Sequence, residues 1–183
     1  MDMNALMSAL LSSDSIESIS RQAGVSEEET RQVLGSALPQ MLTGAQGQAE
    51  NAETSESFAR ALSDHARDDA SDLRGFISAV DLIDGGKILS HLLGAGQNAI
   101  TDSAAANTGL KPAQVVKILS IAAPLLMTLL GTQAGKEDNS ASGVAGLMSA
   151  LLGSGDTTEL VQTLLFGKKK KKKGLLGLLL GRK

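Results

Sequence analysis

The sequence predicts an all-α protein built from two related helix-turn-helix-like units, followed by a short C-terminal helical extension and a basic tail. Three observations carry that prediction. No segment of the 183 residues sustains the apolar–polar alternation of a strand, whereas several place apolar side chains at i, i+3, i+4 and i+7. The 42% hydrophobic content is almost wholly aliphatic and Ala, with three Phe, no Trp, Tyr or Cys, and 20 glycines as punctuation. The chain also repeats itself at an offset of 85 residues: Gly24, Leu34, Ala37, Pro39 and Thr43 recur as Gly109, Leu119, Ala122, Pro124 and Thr128.

Taken in order, Leu6-Met7-Ser8-Ala9-Leu10-Leu11 opens the chain as a leucine-rich helix. The motif is echoed at Ile88–Leu93 and recurs verbatim at Leu147–Leu152, a third, partial copy. Gly24 suits the positive-φ residue that ends a helix. Ser26 with Glu29 forms a capping box for the next one, and Glu27, Glu28 and Glu29 suit the positive end of its dipole. Pro39 falls inside an apolar periodicity and is expected to kink that helix. Gly44 to Glu53 is polar and is expected to be a loop. Phe58, Ala61, Leu62 and His65 then follow helical spacing, as do Leu73, Phe76, Ile77 and Val80. Asp84-Gly85-Gly86 is expected to break the chain and cap a helix over Ile88–Leu93. In the second copy Gly109 repeats the turn, Pro112 fits a first helical turn and Pro124 repeats the internal proline.

The expected organisation is a helical domain over 1–131, with copies at about 1–43 and 86–131. A linker at 132–142, a short helical pair at 143–167 and a leucine-rich basic tail at 168–183 follow it.

The segments MDMNALMSALLSSDSIESIS, AGVSEEETRQVLGSALPQML, DGGKILSHLLG and GLKPAQVVKILSIAAPLLMTLLG resemble the YidB-like bacterial family, domain of unknown function 937. The resemblance covers most of residues 1–131. It implies an orthogonal all-helical array and an intracellular bacterial protein, and it implies no chemistry. The lysine run lies outside it.

Charge is divided along the chain. The net charge of −3 combines 20 acidic residues, all before position 160, with eight basic residues in 168–183. That leaves nine basic residues in the body, so an acidic body carries a cationic tail. Asp2 stands where a secretory leader carries Lys or Arg, and apolar runs are broken before a membrane-spanning length. A soluble cytoplasmic protein, peripheral at the inner membrane, is the expectation.

Chemistry-bearing residues are sparse, so no catalytic residue, no cofactor and no metal is assigned, and the chain is expected not to be an enzyme. With two His and no Cys or Tyr, the inventory of nucleophiles and acid–base groups is thin. Gly94-Ala95-Gly96-Gln97-Asn98-Ala99 has the letters of a dinucleotide fingerprint, but it follows a helix-like run where that fingerprint needs a strand. Asp64, His65, Asp68, Asp69 and Asp72 form a dense cluster, which is expected to be a solvated helix face. His91, among leucines, is expected to be packed and hydrogen-bonded. The Ile19–Leu34 segment has a helix-turn-helix shape, but Glu27, Glu28 and Glu29 would face the phosphates.

The tail, KKKKKKGLLGLLLGRK, is the one assigned interaction site. Lys168, Lys169, Lys170, Lys171, Lys172, Lys173, Arg182 and Lys183 supply charge, and Leu175, Leu176, Leu178, Leu179 and Leu180 supply apolar surface. At roughly 1 kcal/mol per basic residue near an anionic bilayer, six lysines contribute several kcal/mol. A polybasic run plus an apolar insertion is the pair of signals that peripheral attachment needs. The expected function is a non-enzymatic, self-associating helical protein tethered to an anionic membrane surface by this tail. Its expected partner is itself, with no small-molecule substrate. The alternative is a nucleic-acid-associated factor using the helix-turn-helix-like segments and the polylysine run.

Overall fold

The computed structural model of the chain describes residues 3–153. The extension beyond 153 and the basic tail at 168–183 lie outside the described residues. Among the described residues the structure is all-α, with nine α-helices, one 3₁₀ turn and no strand.

The N-terminal region follows its local signals. α1 (Met3–Leu10) buries Leu6, Met7 and Leu10. α2 (Ser13–Ala23) is N-capped by Ser12, whose Oγ accepts from the Ser15 amide at 3.2 Å. It ends on Gly24 at φ 75°, a left-handed conformation that glycine enters without steric cost. α3 (Glu27–Glu50) opens with the predicted capping box. The Ser26 amide donates to Glu29 Oε2 at 2.7 Å, and the Glu29 amide donates to Ser26 Oγ at 3.2 Å.

α3 runs on through Gly44 to Glu50, where a loop was expected over Gly44 to Glu53. The reason is tertiary. Leu42, Ala45 and Ala49 form a buried stripe along this stretch. A Cβ at Gly44 would overlap the Leu92 carbonyl on a neighbouring helix. The glycine that weakens the helix locally lets two backbones approach.

α4 (Ser55–His65) and α5 (Leu73–Ser78) fall where the apolar spacing put them, although Val80 lies beyond the end of α5. α6 (Leu82–Leu93) starts before the expected break. Its N-cap is Asp81, whose Oδ1 accepts from Ile83 at 2.7 Å, and Asp84-Gly85-Gly86 sits inside the helix. Gly85 lies against the Ser120 carbonyl, so close packing outweighs the roughly 1 kcal/mol that a mid-helix glycine costs.

After the 3₁₀ turn Gly94–Gly96 comes α7 (Gln97–Thr108), which ends on Gly109, again at φ 75°. α8 (Pro112–Glu137) has Pro112 in its first turn and Pro124 inside. The expected linker at 132–142 is mostly helix, because α8 reaches Glu137 and α9 (Ala141–Gly153) begins four residues later. α9 buries Val144, Leu147, Met148 and Leu151. The leucine face of the third copy therefore packs on α3 and α4 rather than standing exposed.

The two long helices, α3 and α8, form the centre, and every other helix packs on one or both of them. Ile118, Leu119, Ile121, Leu125, Leu126 and Leu130 of α8 are each fully buried. A helix enclosed on most sides is apolar all round. For that reason Pro112–Lys136 is long and apolar enough to cross a membrane by length and composition, with a mean hydropathy of 1.9. This corrects the expectation that apolar runs stop short of such a length. In the fold, 83% of its most apolar window is buried against the rest of the protein.

Candidate functional site

Two adjoining depressions lie between α4, α5 and α6, over α8. The first has a volume of about 350 Å³ and is floored by Phe58, Ala61, Ile88, Leu92 and Met127. His65 of α4 and Asp84, Lys87 and His91 of α6 also line it. The second, about 440 Å³, is lined by Asp68, Asp69, Asp81 and Asp84 together with Phe76 and Val80. His65 and Asp84 belong to both, so the two form one groove with an apolar end and an acidic end.

Each polar group in the groove has a definite setting. His65 Nδ1 is 3.0 Å from Asp68 Oδ2, across one turn and the end of α4. His91 Nδ1 donates to the Lys87 carbonyl at 2.8 Å, which leaves its Nε2 as the acceptor of the neutral ring. His91 is thus hydrogen-bonded as expected but exposed, not packed among the leucines beside it. Asp69 Oδ1 accepts from the Ser71 amide at 2.9 Å, and the hydrogen bonds from Ser71 hold its carboxyl below the usual aspartate range. Asp81 uses one oxygen to cap α6.

The cluster Asp64, His65, Asp68, Asp69 and Asp72 separates into local tasks. Asp64 pairs with Arg67 at 3.5 Å, and Asp72 caps α5 through the Gly75 amide at 3.1 Å. Among the described residues no group of three or more His, Asp or Glu side chains is arranged to hold a metal ion. Ser57 lines the same depression as His65, but the two are eight residues apart on one helix, about 12 Å along its axis. The Ser57 hydroxyl donates to the Thr54 carbonyl at 2.8 Å. The pair does not have nucleophile–base geometry. Gly94–Gly96 joins helix to helix, without the strand that a dinucleotide site requires.

At the helix-turn-helix-like segment, Glu27 pairs with Arg31 at 3.1 Å and Glu28 accepts from Gln32 at 3.0 Å. The Ser26 side chain and amide hold Glu29 below the usual glutamate range. Three carboxylates thus crowd the start of α3.

Sequence reasoning missed the groove because it started α6 too late. With the helix beginning at Leu82, Asp84, Lys87, Ile88 and His91 follow three- and four-residue spacing on one face. The Asp81 cap was the signal that would have set that start. The assigned tail residues, Lys168 to Lys183, lie outside the described residues.

The family described as "Bacterial protein of unknown function (DUF937)" matches residues 5–133. The chain belongs to this family. The matched span runs from α1 into the last turns of α8 and contains the whole groove. No curated protein and no solved structure shows a significant match to the chain.

Proposed function

We propose that this family member is a non-catalytic, self-associating helical protein held on an anionic membrane surface by residues 168–183. The observation that carries the reading is the charge division: eight basic residues and no acid in the last 16, after 20 acidic residues upstream. The acidic body is repelled by an anionic bilayer, so the tail is the part suited to touch it. The repeat supports a scaffold over a catalyst. Gly24 and Gly109, Ser26 and Lys111, and Pro39 and Pro124 occupy matching helix-end, N-cap and mid-helix positions, each pair 85 residues apart. The spacing of Ser57 and His65 supports the same reading.

The test is co-sedimentation of the full chain with anionic phosphatidylserine vesicles and with neutral vesicles, for the wild type and for a variant with Lys168 to Lys173 all changed to Gln. The wild type is expected to pellet with the anionic vesicles only. The variant is expected to lose more than about 100-fold in affinity, given roughly 1 kcal/mol per lysine. Equal pelleting of the two proteins overturns the tether. Preferential retention on duplex DNA with a steep salt dependence favours the nucleic-acid reading instead.

A further inference from the structure

We infer that the groove between α4, α5 and α6 is a docking site for the chain's own residues 168–183, the leucines at its apolar end and the lysines at its acidic end. The groove presents two unlike halves side by side. Phe58, Ala61, Ile88, Leu92 and Met127 line the first; Asp68, Asp69 and Asp81 line the second beside Phe76 and Val80, and Asp84 lines both. Among the described residues no Lys or Arg lines the second half, and Lys87 lines only the first. The tail has the same two-part grammar in linear form, with Lys168 to Lys173 followed, after Gly174, by five leucines between 175 and 180. Charge complementarity fixes the direction, because lysines over the apolar half would meet Lys87.

The placement of α9 favours the same molecule over a second copy. α9 packs on α4, which is one wall of the groove, and the chain leaves from its end. Fourteen residues separate Gly153 from Lys168. They can span up to ~50 Å, against a radius of gyration of about 15 Å for a body of this size. A tether of that length holds its end at an effective concentration on the order of millimolar, far above any second copy. This site shares the tail with the membrane reading but has a different partner. The two uses compete: a tail seated in the groove is withheld from the bilayer.

The absence of cysteine makes a single probe specific. A nitroxide on the cysteine of Gly177→Cys in the full ¹⁵N-labelled chain should broaden the amides of α4, α5 and α6 selectively. No selective broadening overturns the inference. Broadening of the same amides when an unlabelled spin-bearing chain is mixed with a ¹⁵N chain without a spin label overturns the choice of the same molecule and points to a second copy. Asp68→Asn, Asp69→Asn, Asp81→Asn and Asp84→Asn combined should abolish the broadening, with Asn retaining the α6 cap. If the tail is free one-tenth of the time, the same variant should bind anionic vesicles about tenfold more tightly. The control carries Glu27→Gln, Glu28→Gln, Glu53→Gln and Asp102→Asn, which remove equal charge outside the groove. An equal gain in this control overturns the competition. Broadening in the wild type, with no vesicle binding by either the wild type or the four-aspartate variant, sinks the membrane reading and leaves the groove standing.

Discussion

Ser26 and Glu29 show how far a four-residue pattern reaches. Ser26 leaves α2's turn in an extended conformation and satisfies the Glu29 amide, while Glu29 reaches back to the Ser26 amide. The Ser26 hydroxyl and the Ser26 amide each donate to Glu29 Oε2 at 2.7 Å and favour its charged form, so the Glu29 pKa is lowered in the folded protein. The sign follows from proton linkage. The unfolded chain binds the proton first, so the box contributes fully above the unfolded glutamate pKa of about 4.3 and is lost as pH falls through the lower folded value. Thermal melts between pH 3 and 7 should therefore show the wild type losing its advantage over Glu29→Gln as pH drops below about 4, since Gln keeps the box but does not titrate. Parallel profiles for the two proteins would contradict this. Ser26→Ala should cost about 1 kcal/mol at neutral pH and remove the hydroxyl's part of the Glu29 shift, leaving the part due to the backbone amide. Signals of this kind are legible in the sequence because every partner lies within one turn.

The helices themselves were legible as starts more than as lengths. Gly24, Ser26, Gly109 and Pro112 each mark a real boundary. Gly44, Gly85 and Gly131 suggest boundaries too, yet all three lie within helices. What separates the two groups is the neighbour. A Cβ at Gly131 would overlap the Leu62 carbonyl of α4, and one at Gly85 the Ser120 carbonyl of α8. A glycine at such a crossing is a contact surface, and nothing local to it in the sequence says so. Gly131→Ala should therefore destabilise the protein by about 1–3 kcal/mol through overpacking against backbone that cannot rotate aside. Gly146→Ala on α9, where no atom lies within 4 Å of the added carbon, should stabilise it by up to ~1 kcal/mol. Urea unfolding of both variants checks the pair, and a common sign would refute the packing account.

For the whole molecule, self-association is the property with the most direct readout. The body exposes Leu82 at 39% and Ile83 at 73%, both beside the acidic end of the groove. On the reading proposed above, light scattering should give a mass that rises above 18.8 kDa with concentration. If the contact joins the tail to an acidic surface, the rise should weaken with salt, because the Debye length falls from about 10 Å at 0.1 M to 3 Å at 1 M. A mass that stays at the monomer value throughout counts against self-association and leaves the own-tail docking untouched. The groove could not be read from the sequence, because its walls come from separate helices, with Ser57, Phe58, Ala61 and His65 on one and Asp84, Lys87, Ile88 and His91 on the other. The Phe58–His65 stripe was visible as an amphipathic face, but its partner face on α6 was hidden by the misplaced start of that helix.

Left to itself, the amino-acid order settled the fold class, the two left-handed glycine turns, the capping box, the family and the division of charge. Each depends on residues within a turn of one another or on the order of residues along the chain, without any contact between distant segments. Tertiary structure decided how far α3 and α8 extend, that glycines at 44, 85 and 131 are crossings and not ends, and that both histidines line one groove with four aspartates. Those outcomes rest on close approach between helices distant in the chain, where burial against a neighbour outweighs the roughly 1 kcal/mol of intrinsic preference that a local reading weighs.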